Sequence, residues 1–166
     1  MDNDLTLRAG EILVGEHLYA KAIDQILASA QQELLIFDQN LDHGDFASLE
    51  KFEILKHFLS ANATSRLTIV LQDTSNFAVK FPRLSNLLAV YKHKMDIYET
   101  NASAKHAKDC FILADGENYI KRIHLDQARF KYAINDIAST TALNTRFKEL
   151  LEVAHHALTT SKLGLK

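Results

Sequence analysis

AKHAKDCFILADG, residues 104–116, governs how the rest of the chain is read. Its apolar run CFILA has the length of a strand and closes on Asp115-Gly116, after which the chain resumes as ENYIKRI. Asp-Gly flanked by two strand-like runs is a strong hairpin signal. Ahead of the run stand His106 and Lys108. Two residues apart on an extended chain, they point to the same face.

Working outward, GEHLYAKAIDQILASAQQ (15–32) sets Tyr19, Ala22, Ile23, Ile26, Leu27 and Ala30 at helical spacing. ELLIFD (33–38) is an apolar run of strand length. The spacing then predicts a helix through FASLEKFEILKHFLSAN, with Leu49, Phe52, Leu55 and Leu59 inward and Asp42 or Asp45 as its cap. RLTIVLQD (66–73) and MDIYET (95–100) read as strands, separated by a helix, PRLSNLLAVYKH, with Pro82 in its first turn. A last helix over roughly 138–159 follows from Leu143, Phe147, Leu150, Leu151, Ala154 and Leu158. On it His155 and His156 would point about 100° apart and could not share one ion. Helices alternating with strands, then a hairpin and a closing helix, indicate an α/β fold, a mixed β-sheet sandwiched by helices. The whole of 1–166 reads as one domain, with 1–14 and 160–166 as peripheral tails.

Composition narrows the function classes. A chain of 166 residues can bury a core without staples, and 47% apolar with 24% charged residues is the balance of a folded globule. The single cysteine, Cys110, excludes a disulfide framework and a cysteine zinc cluster, and its apolar neighbours predict a buried, inert thiol. The start is acidic and polar, and no apolar run approaches the roughly 20 residues that span a bilayer. These features predict a soluble protein of the reducing cytoplasm, away from membranes. Net charge is −2, yet residues 80–108 carry six basic and two acidic side chains. Such a segment can meet an anion or an acidic patch, or can simply be a solvated lysine face.

ELLIFDQNLD, RLTIVLQD, CFILADGENYIKR, YAIND and LNTRFKELLEVA, in this order, resemble one half of a phospholipase D-like protein. More closely, they resemble a bacterial domain of that architecture appended to GNAT-type acetyltransferases. The resemblance covers about residues 20 to 155. It implies one phospholipase D-like half-domain. In active members the histidine of HxKxxxxD attacks phosphorus, the lysine neutralises phosphate oxygens and the aspartate supports the histidine.

The candidates here, His106, Lys108 and Asp115, do not keep that spacing. If His106 and Lys108 are the pair, the aspartate position falls on Leu113. If Asp115-Gly116 is the aspartate turn, the histidine and lysine positions fall on Lys108 and Cys110. Only a two-residue bulge within CFILA would reconcile all three. The Gly-Ser and Asn that follow in the family are replaced by IKRIHLD. The resemblance therefore implies a catalytically silent member, a binding or dimerisation module for a phosphorylated or anionic ligand. Half-domains of this superfamily pair, so a homodimer is expected. Two alternatives stand beside this one: a phosphodiesterase or phosphatidyltransferase using a phosphohistidine at His106, and an interaction domain regulating an acetyltransferase. No cofactor is expected.

Other clusters are weaker. Asp38, Asp42, Asp45 and His43 offer metal-ligand types after the first long strand, but without calcium-loop glycine spacing they read as caps in an acidic loop. Asp115 and Arg122 suggest a buried ion pair. The functional alternative is an anion site of Arg122 with Lys108, with Asn135 and Asp136 as further binding residues. No GxSxG turn supports serine catalysis. An aromatic platform for nucleic acid is not favoured, because Phe111, Tyr119 and Phe130 sit in core patterns.

Overall fold

The computed structural model describes residues 7–100 and 107–158. In chain order the elements are β1 (Ile12–Val14), α1 (Glu16–Ser29), β2 (Glu33–Asp38), α2 (Leu49–Ala61), β3 (Arg66–Leu71), α3 (Phe77–Lys80) and α4 (Pro82–Val90). They continue with β4 (Met95–Thr100), β5 (Cys110–Ala114), β6 (Asn118–His124), β7 (Gln127–Ala133), α5 (Ile137–Glu152) and β8 (Ala154–Leu158). The strands form one mixed sheet in the order β1-β7-β6-β5-β2-β3-β4-β8.

β2, β3 and β4 run parallel, joined by helical crossovers, and every other pairing is antiparallel. β2 and β3 are apolar on both faces, as strands covered from both sides must be, whereas β4 carries Asp96 and Glu99 at half-buried positions. α1, α2 and α4 pack one face through Ile23, Ile26, Leu27, Leu55, Leu59 and Leu84. α5 packs the other with Leu143, Phe147 and Leu150 against Phe37, Val70 and Phe111. The expected α/β fold with a sheet between helices is the one observed.

Several details differ from the sequence reading: Leu49, expected inward, is exposed, and the short α3 had no counterpart. α2 begins later than expected, and its cap is Ser48, whose Oγ accepts the Lys51 N–H at 3.1 Å. Asp42 and Asp45 lie instead in a run of turns where Leu41, Gly44 and Asp45 all have positive φ. The closing helix stops at Glu152, and Ala154–Leu158 crosses to the edge of the sheet as β8 beside β4. Leu150, Ala154 and Leu158 satisfy a period of four, and AHHAL has no apolar alternation to mark it as a strand. Residues 12–14, read as part of a tail, form β1, with Leu13 buried. β7 had no counterpart in the reading, because the loop before it, Leu125-Asp126, lacks the glycine or asparagine that signals a hairpin.

Candidate functional site

The Asp115 end of the β5–β6 hairpin is built for docking. Asp115 and Gly116 turn the chain with φ of 57° and 67°. The Asp115 carboxylate accepts the backbone N–H groups of Gln31, Gln32 and Glu33 at 2.9, 2.8 and 2.9 Å, which fastens the turn to the start of β2. Asn135 and Asp136 lie at this same end. The Asn135 N–H donates to Asn118 Oδ1 at 2.9 Å. Asp136 caps α5 by accepting the N–H and hydroxyl of Ser139, bonds that hold its carboxyl below the usual carboxylate range.

Lys108 lies at the opposite end of β5. Between them the ladders on both sides of β5 pair residue for residue, Phe37↔Phe111 to Leu34↔Ala114 on one side and Cys110↔Arg122 to Ala114↔Asn118 on the other. CFILA therefore has no bulge to draw Lys108 and Asp115 together, and about 23 Å of extended chain separates them. His106 lies outside the described residues. With Asp115-Gly116 as the aspartate turn, the lysine position of the family's motif is Cys110. That side chain is buried, its Sγ 3.2 Å from Tyr19 Oη and hydrogen-bonded to Asp38. Burial pushes the Cys110 thiol well up, so it is a neutral, inert group.

Around Cys110 a polar cluster lies on the α1 side of the sheet, buried at Arg122 and Asp38 and reaching solvent at Glu16. Arg122 is fully buried and forks onto Glu16 with Nη1 and Nη2 at 2.8 and 2.9 Å from the two carboxylate oxygens. Its guanidinium also lies 4.9 Å from the Tyr19 ring centre and donates to the carbonyls of His124 and Leu125. The Arg122–Asp115 pair expected from the sequence does not form; Glu16 takes the arginine. The hydrogen bond from Arg122 holds the Glu16 carboxyl below its ordinary value. Asp38, buried without a cation of its own, is pushed up to about 6 by desolvation. Beside this cluster Glu16, Asp42, His43 and Asp45 line an acidic concavity of about 500 Å³. Among the described residues no group of His, Cys, Asp and Glu is arranged to hold a metal ion.

Lys108 belongs to the other side of the sheet. Side chains alternate along β6, so Lys121 points away from Arg122 and α1. On that face α5 covers β5, the parallel strands and the Tyr119 and Ala133 ends of β6 and β7, but leaves β1 and the rest of β6 and β7 open, with Ile12, Val14 and Ile123 exposed. Lys121 and Lys131 are direct cross-strand partners, and Ile12 is the next residue in the row. With Lys108 they line a concavity of about 300 Å³ floored by Tyr119 and Ile123. One carboxylate stands at its margin. Asp109 is paired to Arg146 through both oxygens and lies 3.6 Å from Lys121. Although burial pushes its carboxyl up, the hydrogen bond and charges of Arg146 and Lys121 prevail and hold it below the ordinary value.

The structure thus does not bring the expected binding residues together. Lys108 is on the open face, Arg122 is on the closed one, and Asn135 and Asp136 are at the far end of the hairpin. Lys121 and Lys131, which lie outside the basic segment 80–108, are the groups that join Lys108. The period-two pattern of QARFKYA, cations alternating with Phe130 and Tyr132, is the signal that locates them.

Comparison with solved structures supports the same architecture. TrmBL2, an archaeal chromatin protein, is similar at a TM-score of 0.66 and 14% identity over 95% of this chain, which spans 57% of the TrmBL2 chain. Nuc from Salmonella typhimurium, a phospholipase D family member, is similar at 0.63 and 11% identity, covering 90% of this chain and 99% of its own. NucT from Helicobacter pylori follows at 0.57 and 10%, covering 89% and 98%. The fold is phospholipase D-like. No curated protein matches the sequence. A family model covers residues 16–162, and the chain accordingly belongs to the family of the domain of unknown function DUF7931.

Proposed function

We propose that this domain uses a phospholipase D-like fold as a non-catalytic module that binds an anionic, phosphorylated ligand on the open face of β1, β7 and β6. The observation that carries the reading is the Lys121–Lys131 pair. Like charges directly opposite on neighbouring strands destabilise a sheet, and Lys108 adds a third cation to the same concavity. An anion seated between them turns that cost into binding energy, because a doubly negative phosphate interacts with all three ammonium groups. The silence of the phosphodiesterase chemistry rests on Cys110 at the lysine position and on the unbulged β5.

The test is calorimetric titration at low salt with inorganic pyrophosphate, AMP, dihexanoyl phosphatidic acid and a short single-stranded oligonucleotide. The oligonucleotide belongs in the panel because TrmBL2, which shares the fold, shows a novel mode of DNA binding. Salt-sensitive binding of at least one ligand, lost in a Lys121→Gln/Lys131→Gln double variant, is expected. Binding of none at low ionic strength would end the reading. In parallel, bis-p-nitrophenyl phosphate should be hydrolysed no faster by the wild type than by His106→Ala; a rate that falls with the histidine would restore the catalytic alternative.

A second reading, a homodimer, is favoured by the edge strand β1, whose Ile12 and Val14 are 53% and 65% exposed. Sedimentation equilibrium distinguishes it, since a monomer at high micromolar concentration ends that idea.

A further inference from the structure

The open face is chequered rather than uniformly basic. Across the strands one row runs Ile12, Lys131, Lys121, and the neighbouring row sets Val14 beside Arg129. Along β6 the outward residues are Tyr119, Lys121 and Ile123, with Tyr119 buried and Ile123 40% exposed. Lys131 therefore has Ile12 one strand spacing away, about 5 Å, and Lys121 is flanked along β6 by Tyr119 and Ile123. A site meant for a bare inorganic anion has no use for exposed isoleucines, whose hydration is unfavourable unless something covers them.

Asp109 restricts the anion further. Its carboxylate is fixed by Arg146 and faces Lys121 at 3.6 Å, so a negative charge is already installed on one side of the concavity. A single phosphate can sit toward Lys131, two strands away from it. A chain of phosphates crossing the whole face would have to pass that carboxylate, at an electrostatic cost in a partly desolvated setting. At about 300 Å³ the concavity also lies at the small end of ligand-binding sites.

From this juxtaposition we propose that the ligand is a small amphipathic phosphate monoester, its phosphate on Lys131, Lys121 and Lys108 and its apolar or aromatic body laid over Ile12 and Ile123. The inference rests on the anion-binding reading above and deepens it. The shared chemistry fits both a nucleoside monophosphate and a short acyl glycerol phosphate. The two are separated by comparing AMP with dihexanoyl phosphatidic acid.

The test titrates the full chain with those two esters and with inorganic phosphate as the body-less control, for the wild type, Ile123→Ser and Lys131→Gln. At least one ester is expected to bind tenfold or more tightly than inorganic phosphate. Ile123→Ser should weaken that ester fivefold or more and leave phosphate within twofold, whereas Lys131→Gln should weaken both. Ile123 is exposed, so the serine variant is expected to stay folded, and its melting temperature verifies that. Inorganic phosphate binding as tightly as either ester, or an ester indifferent to Ile123→Ser, overturns this inference while the anion-binding reading stands. Tighter binding of an oligonucleotide than of any monoester overturns it likewise. Failure of every ligand to bind overturns both.

Discussion

Lys121 and Arg122 are neighbours in sequence and opposites in circumstance. The alternation of β6 sends Arg122 to the closed face, where it is fully buried, forks onto Glu16 and stacks on Tyr19. It sends Lys121 to the open face, where its cross-strand partner is another lysine. On the closed face charge is compensated within the fold and serves the packing of α1 and the β6–β7 hairpin. On the open face Lys121 is compensated only in part, by Asp109 at 3.6 Å, while Lys108 and Lys131 stand exposed beside it. Burial and partner, rather than residue type, separate a structural cation from a binding one.

The contrast is easiest to break by removing each cation in turn. Arg122→Ala should destabilise by about 3–4 kcal/mol, since it opens a cavity and deprives two carbonyls and Glu16 of their donor. Lys121→Ala should cost no more than about 0.5 kcal/mol. Urea unfolding midpoints compare the two directly, and equal effects would undo the division of the sheet into closed and open faces. Arg122→Met, which keeps the volume and drops the charge, should recover much of the loss.

Asp38 sharpens the same contrast from the closed side. Its carboxyl is raised from 3.8 to about 6 by burial, so the folded chain holds a proton that the unfolded chain releases between those values. Stability should therefore be fully present below about pH 4 as far as this group is concerned and decline as pH rises to about 6, by up to about 3 kcal/mol. Asp38→Asn keeps an acceptor for the Gln39 N–H and removes the buried charge. It should stabilise by about 1–3 kcal/mol at pH 8 and have little effect near pH 4, as measured by denaturant unfolding at both pH values. No pH dependence in the difference would mean that the carboxyl is hydrated.

The smallest effect belongs to the open face. Lys131→Glu places opposite charges across from one another on β7 and β6 and should raise stability by about 0.5 kcal/mol. The same change should abolish anion binding. A gain in melting temperature of about 1–2 °C with loss of ligand would show stability and binding to be opposed at this pair.

Much of this was legible in the sequence, and what was not has identifiable causes. ELLIFD, RLTIVL and CFILA announced the central strands because each is apolar throughout, as strands buried on both faces must be. Asp115-Gly116 announced its turn because that backbone conformation favours few residues. The edge strands were harder. β1 has only three residues, and β8 hides in a pattern that a helix can also satisfy. The site suffered from the same problem, since Lys121 and Lys131 become partners only through β7 and its inconspicuous Leu125-Asp126 loop. Arg122 and Glu16 lie 106 positions apart, a distance across which no local pattern reports. The adjacent Lys121 and Arg122 could not be assigned to faces until the register of β6 was known.

The grip of Asp115 on residues 31–33 has a consequence for the order of assembly. β2 meets β3 after one crossover, but its other edge is completed by β5, whose partners lie from 74 positions away (Phe37↔Phe111) to 80 (Leu34↔Ala114). During synthesis the parallel trio β2, β3 and β4 can gather early, with one flank of β2 still open. That flank is an apolar template for any stray extended segment until the hairpin arrives. Because Asp115 captures three amides of the 31–33 turn at once, the hairpin can dock in register by its tip and then zip along β2. A carboxylate that looked at first like part of a reaction would then be the latch that closes the most exposed seam of a growing chain.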